Sequence, residues 1–112
     1  MQGFARELKT YETADGRQPF WEWISSLSDT RTRGRILKRL DKVRLGNLGD
    51  CCSVGNGVFE LREHHGPGYR IYFAEEDKTI VILLCGGDKD SQQDDIQRAK
   101  DYWEDYRRRP NA

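Results

Sequence analysis

Residues 66–73 read Gly-Pro-Gly-Tyr-Arg-Ile-Tyr-Phe, a turn that leads directly into a β-strand. Successive side chains of a strand point to opposite faces. This alternation places Ile71 and Phe73 on one face, and Arg70 and Tyr72 on the other. The apolar row is typical of a strand that packs on a core. The arginine and the tyrosine need a separate explanation, which depends on the neighbouring strands.

Two further strands are predicted on either side of this segment, V-F-E-L-R-E-H at 58–64 and T-I-V-I-L-L-C at 79–85. The connections H-G-P-G and E-E-D-K are short, which favours an antiparallel meander of three strands. Residues 79–85 are almost entirely apolar, so we expect the last strand to lie centrally, covered on both faces.

The rest of the chain supplies one more strand and three helices. The patterns predict a first strand over Phe4–Thr13, a helix that opens at Pro19, a second helix over about Arg31–Leu45, a loop over Gly46–Gly57 and a final helix over 91–109. The predicted fold is α+β: a small antiparallel sheet with an N-terminal strand and helical hairpin, a three-strand meander and a C-terminal helix.

Length and composition narrow the class of protein. At 112 residues we expect one domain spanning residues 1–112. Nineteen basic residues balance nineteen acidic ones, so any binding of nucleic acid has to depend on local patches of basic residues.

The cysteines and the apolar segments exclude further classes. Three cysteines, with Cys51 and Cys52 adjacent, form neither a disulfide framework nor a zinc motif. No stretch has the apolar length of a signal peptide or membrane helix, so we expect a cytoplasmic protein without metal or cofactor.

The polar rows of the second and third predicted strands meet on one face of the meander. Period-two alternation assigns to it Glu60, Arg62, His64, Arg70 and Tyr72, with Lys89 in the loop at one end. A solvated sheet face with Arg–Glu cross-strand pairs is the simpler interpretation, and a histidine beside a turn is most often solvated.

The second predicted helix carries basic residues along much of its surface. Its stripe of Arg31, Arg35, Lys38 and Lys42 follows helical spacing. The pattern is equally consistent with a solvated helix face and with a surface that binds nucleic-acid backbone.

Six motifs in order carry a family resemblance. They are P-F-x-x-W-I-x-x-L (19–27), G-N-L-G-D (46–50), G-x-x-E-L-R (57–62), G-P-G-Y-R-x-Y-F (66–73), L-L-C-G-G-D-K (83–89) and Q-D-D-I-x-x-A-K-x-Y-W (93–103). From about Ala5 to Arg108 the chain resembles the addiction-module killer proteins. These are a phage-related branch of the RelE/ParE/HigB superfamily of toxins from bacterial type II toxin–antitoxin systems.

The resemblance implies a RelE-like fold, a cognate antitoxin as partner in a toxin–antitoxin oligomer, and cleavage of mRNA in the ribosomal A site without a metal. The family's phosphate-facing arginine falls on Arg70, the arginine of its E-L-R strand on Arg62 and the basic residue after the last strand on Lys89. The basic stripe of the second helix would then dock on ribosomal RNA, with His64 among the RNA-binding residues.

Two positions depart from the family pattern. Glu60 stands where the best-known members place lysines, and their C-terminal catalytic tyrosine or histidine has no counterpart in Q-Q-D-D-I. Glu60 is a candidate general base or a partner of Arg62. Tyr72, Gln92 or Gln93 is a candidate replacement for the missing catalytic group, and Tyr72 is also a candidate for stacking on a base.

Two other functions compete with an RNase. The ParE branch implies a DNA gyrase poison of the same fold, which would stop replication rather than translation. A degenerate toxin that retains only antitoxin binding is the third alternative, because the net charge is zero and the family's base is missing.

Overall fold

The computed structural model describes residues 5–110 and confirms the α+β class. Its elements are β1 (Glu7–Thr10), α1 (Pro19–Ser26), α2 (Thr30–Arg44), β2 (Cys51–Gly55), β3 (Val58–Glu63), β4 (Tyr69–Glu76), β5 (Ile80–Asp88) and α3 (Gln92–Arg108). Across the described residues, no helix is both long enough and apolar enough to cross a membrane.

The strands form a five-stranded sheet in the order β1-β5-β4-β3-β2. Strands β2 to β5 are an antiparallel meander, and β5 lies inside the sheet as its apolar sequence predicted. The prediction of a wholly antiparallel sheet is wrong for β1, which pairs with β5 in parallel. The two helices lead from β1 to β2 at the opposite edge of the sheet, where the chain runs antiparallel to β1. The three reversals of the meander then leave β5 parallel to β1. The predicted start of this strand, Phe4, lies outside the described residues.

The segment 46–57, predicted as a loop, contains strand β2. It pairs with β3 through a turn at Asn56-Gly57, where both residues have positive φ, 58° and 82°. Asn-Gly with two positive φ values is the strongest short-range hairpin signal. The meander therefore has four strands, and the extra strand brings the 46–50 loop beside the end of β3.

Helices α1 and α2 cover one face of the sheet. Asp29 caps α2 by accepting the backbone N–H of Arg31 at 3.0 Å. Both helices pack into one apolar cluster with the predicted inner rows of the strands: Phe20, Ile24, Ile36, Leu40, Val43, Leu61, Ile71, Phe73, Val81 and Leu83. This confirms that Ile71 and Phe73 face a core.

Helix α3 covers the opposite face, where a solvated polar surface was predicted. Ala99 and Trp103 of α3 pack with Tyr72 and with apolar residues of β3 and β5. Glu60 and Tyr72 are both fully buried there. Their predicted exposure is therefore wrong, because the last helix packs across this face instead of leaving it to solvent.

Candidate functional site

A basic cleft of about 380 Å³ opens where β3 ends and β4 begins. Its walls come from the end of β3, the 64–68 turn, the start of β4 and the residue after β5. The cleft brings together four of the predicted site residues, Arg62, His64, Arg70 and Lys89. The meander is responsible, since strand register places Arg62 directly opposite Arg70.

A fully buried carboxylate lies beneath the arginines of the cleft. Oε1 of Glu60 accepts from Nε of Arg62 at 3.1 Å, and Oε2 accepts from the Tyr72 hydroxyl at 3.0 Å. Oε2 also accepts from Nε2 of Gln92, the first residue of α3, at 2.9 Å. Nε of Arg70 lies 3.5 Å from the same oxygen. One anion thus holds two arginines, a tyrosine and the start of α3 in fixed positions.

The environment fixes the protonation of this network. Burial raises the pKa of Glu60, but hydrogen bonds from Gln92, Arg62 and Tyr72 and the charge of Arg70 outweigh it and hold the pKa below its usual value. Burial and the adjacent Glu60 raise the pKa of Tyr72 above that of a free phenol. Glu60 is therefore an anion and Tyr72 a neutral donor near neutral pH. Neither side chain reaches solvent, which places both below the cleft rather than against a substrate.

The guanidinium of Arg70 has N–H groups that can donate a further hydrogen bond. Its side chain is 14% exposed, yet its guanidinium makes no hydrogen bond to any residue in the part of the chain that is described. The Gly66-Pro67-Gly68 turn lies against it, because a Cβ built on Gly68 would stand 3.7 Å from Nη1 of Arg70. The arginine is held by charge on one side and by the turn on the other. Because Nε is buried against Glu60, the Nη groups are the donors that suit an incoming oxyanion.

Arg62 and Lys89 complete the cationic lining. The Arg62 side chain is 39% exposed, and one of its Nη atoms lies 3.4 Å from Sγ of Cys52 on the neighbouring strand. Lys89 is exposed in the loop after β5. Arg39 of α2 supports this corner from behind by donating to the backbone carbonyls of Arg62 at 2.6 Å and Asp50 at 2.9 Å.

His64 at the rim pairs with an acidic residue from the loop before β2. Its Nε2 lies 2.5 Å from Oδ2 of Asp50. This hydrogen bond is the main reason that the pKa of Asp50 lies below its usual value, with the charges of His64, Arg62 and Arg39 acting in the same direction. The histidine side chain is 73% exposed, so the pair faces the solvent side of the cleft.

The predicted basic stripe on α2 is exposed along its whole length. Its four side chains, Arg31, Arg35, Lys38 and Lys42, all face solvent and lie outside the lining of the cleft. Binding of RNA by this stripe stays a prediction.

The sequence does not predict the roles of Asp50, Arg39 and Gln92. Asp50 lies in a predicted loop, Arg39 is one of several basic residues of the second predicted helix, and Gln92 is predicted as a candidate catalytic group rather than as a hydrogen-bond donor to Glu60. The Asn56-Gly57 turn was the available signal for Asp50, since pairing β2 with β3 brings Asp50 to the end of β3. No local pattern points to Arg39 or Gln92, because both contacts join elements distant in sequence.

The fold and the site together define a small α+β protein with a cation-lined cleft above a buried carboxylate. Residues 22–104 match the model of the family described as Phage derived protein Gp49-like (DUF891), and the chain belongs to this family. It is also 46% identical over 94 residues to an uncharacterized protein of Haemophilus influenzae, with 84% of this chain and 89% of that protein covered. The predicted relation to a phage-derived family is thereby confirmed, whereas membership of the addiction-module killer proteins and of the RelE/ParE/HigB superfamily stays a prediction.

Proposed function

We propose that this protein is the toxin of a type II toxin–antitoxin system and that it cleaves mRNA on the ribosome by a metal-independent mechanism. The single observation that carries the proposal is the guanidinium of Arg70, which has unused donors in a cleft shared with Arg62 and Lys89. Membership in the Gp49-like family, which is toxin-like and associated with toxin–antitoxin systems, supports the same function.

The chemistry that suits this cleft is transesterification of RNA. The 2′-hydroxyl gives its proton to a base, and its oxygen forms a bond to the adjacent phosphorus. The bond from phosphorus to the 5′-oxygen breaks, and an acid protonates that oxygen, leaving a 2′,3′-cyclic phosphate and a 5′-hydroxyl. Negative charge accumulates on the non-bridging oxygens in the transition state, so fixed cations next to them lower the barrier.

Some residues of the site contact the RNA, and others hold the contacting residues in position. Arg70 faces the phosphate with its planar fork, Arg62 flanks it, and Lys89 protonates the departing oxygen. Glu60 and Tyr72 act from below, since a buried anion fixes the guanidiniums before substrate arrives. Preorganised donors of this kind need no rearrangement during the reaction.

The partners follow from the same proposal. The basic stripe on α2 docks on ribosomal RNA, and a cognate antitoxin holds the toxin inactive in a hetero-oligomer. A gyrase poison of the same fold and a degenerate toxin are the competing functions.

The test maps RNA ends in a translating extract. Wild type should cut mRNA within codons only when ribosomes are present, and a transcript with a 2′-deoxy nucleotide at the cut site should resist. Arg70→Ala should lower the cleavage rate by roughly 10²–10³-fold, because it removes one preorganised charge contact.

Arg108→Ala is the matched control. Arg108 is an arginine of α3 that is 75% exposed and paired with Glu104, away from the cleft. It should cut like the wild type. Undiminished cleavage by Arg70→Ala would refute the assigned cleft. Arrest of DNA synthesis before protein synthesis would favour the gyrase poison, and harmless expression without antitoxin would favour the degenerate toxin.

A further inference from the structure

The proposed reaction needs a base, and the buried network does not supply one. Glu60 is fully buried, and its two oxygens already accept from Arg62, Tyr72 and Gln92. A carboxylate in that position has no path to a ribose hydroxyl. The base has to come from a titratable side chain that lines the cleft itself.

Few titratable side chains of the cleft lining fit this role. Lys89 is cationic at neutral pH and better suited as an acid. Glu63 forms an ion pair with Arg39 at 3.2 Å. The lining has two histidines, His64 and His65, and histidine is the one class of side chain that ordinarily exchanges a proton near neutral pH. Of the two, His64 is the exposed one, and its ring is hydrogen-bonded to the carboxylate of Asp50.

Asp50 sets the orientation and tautomer of His64. The carbonyl of Asp50 accepts from the backbone N–H of Arg62 at 3.0 Å and from Arg39 at 2.9 Å, which fixes the backbone beneath its carboxylate. A carboxylate only accepts hydrogen bonds, so Nε2 of a neutral His64 carries the proton, and Nδ1 keeps its lone pair. Within residues 5–110, no hydrogen bond occupies Nδ1.

We propose that His64 is the general base of this site and that Asp50 is its positioning residue. The assignment rests on the proposed function. The proton of the 2′-hydroxyl moves to Nδ1 of His64 while the 2′-oxygen bonds to phosphorus, and Lys89 gives a proton to the departing 5′-oxygen. The imidazolium that forms is stabilised by the carboxylate of Asp50, which stays ionised throughout.

Other charged and titratable groups surround His64. Apart from Asp50, the charged or titratable groups of the cleft lining are Arg62, Glu63, His65, Tyr69, Arg70 and Lys89, and those that support it from behind are Arg39, Glu60 and Tyr72.

The experiment measures single-turnover cleavage of ribosome-bound mRNA by the full chain between pH 5.5 and 8.5. The wild-type rate should fall towards acid pH as the base becomes protonated. His64→Gln should lower the rate by roughly 10²–10⁴-fold and abolish that acidic limb. Asp50→Asn should lower the rate less than His64→Gln, because the base remains while the imidazolium that forms loses the anion that stabilises it.

Asp41→Asn is the matched control, since Asp41 is an exposed aspartate paired with Arg44 on α2. It should leave both rate and limb unchanged, and thermal unfolding checks that every variant folds. If His64→Gln keeps the wild-type limb while Arg70→Ala is inactive, the base assignment is overturned and the proposed function survives. If the wild type cuts no RNA, the base assignment and the proposed function are both refuted.

Discussion

The two faces of the sheet use the same strands for different purposes. On the α1/α2 face, Leu61, Ile71 and Phe73 belong to an apolar cluster. On the α3 face, the residues between them include Glu60 and Tyr72, which are equally buried but joined by hydrogen bonds. Both faces have an apolar cluster, but only the α3 face adds a buried hydrogen-bonded network, and this network fixes the positions of Arg62 and Arg70.

Two consecutive glycines show how closely both faces are packed. A Cβ on Gly86 would overlap the ring of Trp23 from α1, and a Cβ on Gly87 would overlap the carboxylate of Asp95 from α3. The sequence predicts a last strand that ends at Cys85, before these glycines. They lie inside β5 instead, and both positions require glycine because one helix on each side approaches the backbone too closely for a side chain.

The largest expected effect on stability concerns the apolar face. Phe73 is 1% exposed and stacks on Phe59 with ring centroids 5.5 Å apart. Phe73→Ala should lower the free energy of unfolding by about 3–5 kcal/mol, measured by urea denaturation, because it leaves a cavity in the core. Phe73→Leu should cost much less. A loss below about 1 kcal/mol in the alanine variant would contradict the assignment of this face to the fold.

A smaller loss is expected on the polar face, and it depends on pH. Glu60→Gln keeps the shape but removes the anion, so it should cost about 1–3 kcal/mol at pH 7. The folded-state pKa of Glu60 is lowered, so its contribution is full above the unfolded-state pKa of about 4.3 and is lost as pH falls through the folded value.

The measurement is urea unfolding of Glu60→Gln and wild type at pH 7 and at acid pH, where their difference should shrink. Glu104→Gln, which alters an exposed glutamate on α3, is the control and should show almost no difference at either pH. A difference that stays constant down to acid pH would mean that charge is not what Glu60 contributes.

The smallest effect per residue is expected on the outer side of α2. Replacing Arg31, Arg35, Lys38 and Lys42 by alanine should flatten the dependence of ribosome binding on log salt concentration by about 0.7–0.9 per charge. Binding assays between 50 and 200 mM salt measure it, with Arg108→Ala as control. An unchanged slope would mean that the stripe is a solvated helix face.

Individual residues show which features could be predicted from the sequence and which could not. Alternation alone placed Ile71 and Phe73 in a core, and the family motifs selected Arg62, Arg70 and Lys89, which the structure brings into one cleft. The same alternation failed for Glu60 because period two separates the faces of a strand but does not say what covers each face. Here α3 covers it, and Gln92 at the start of that helix completes the network.

By itself, the sequence determined the α+β class, the meander around Gly66–Phe73 and the family, because short-range periodicity, turn residues and ordered motifs are local properties. Only the tertiary structure decided that Glu60 supports the arginines instead of facing a substrate, and that Asp50 meets His64. Both results depend on contacts between segments far apart in sequence. Burial and ion pairing arise only when those segments pack. Packing makes Glu60 a buried carboxylate that accepts several hydrogen bonds, and it fixes the ring of His64 against Asp50.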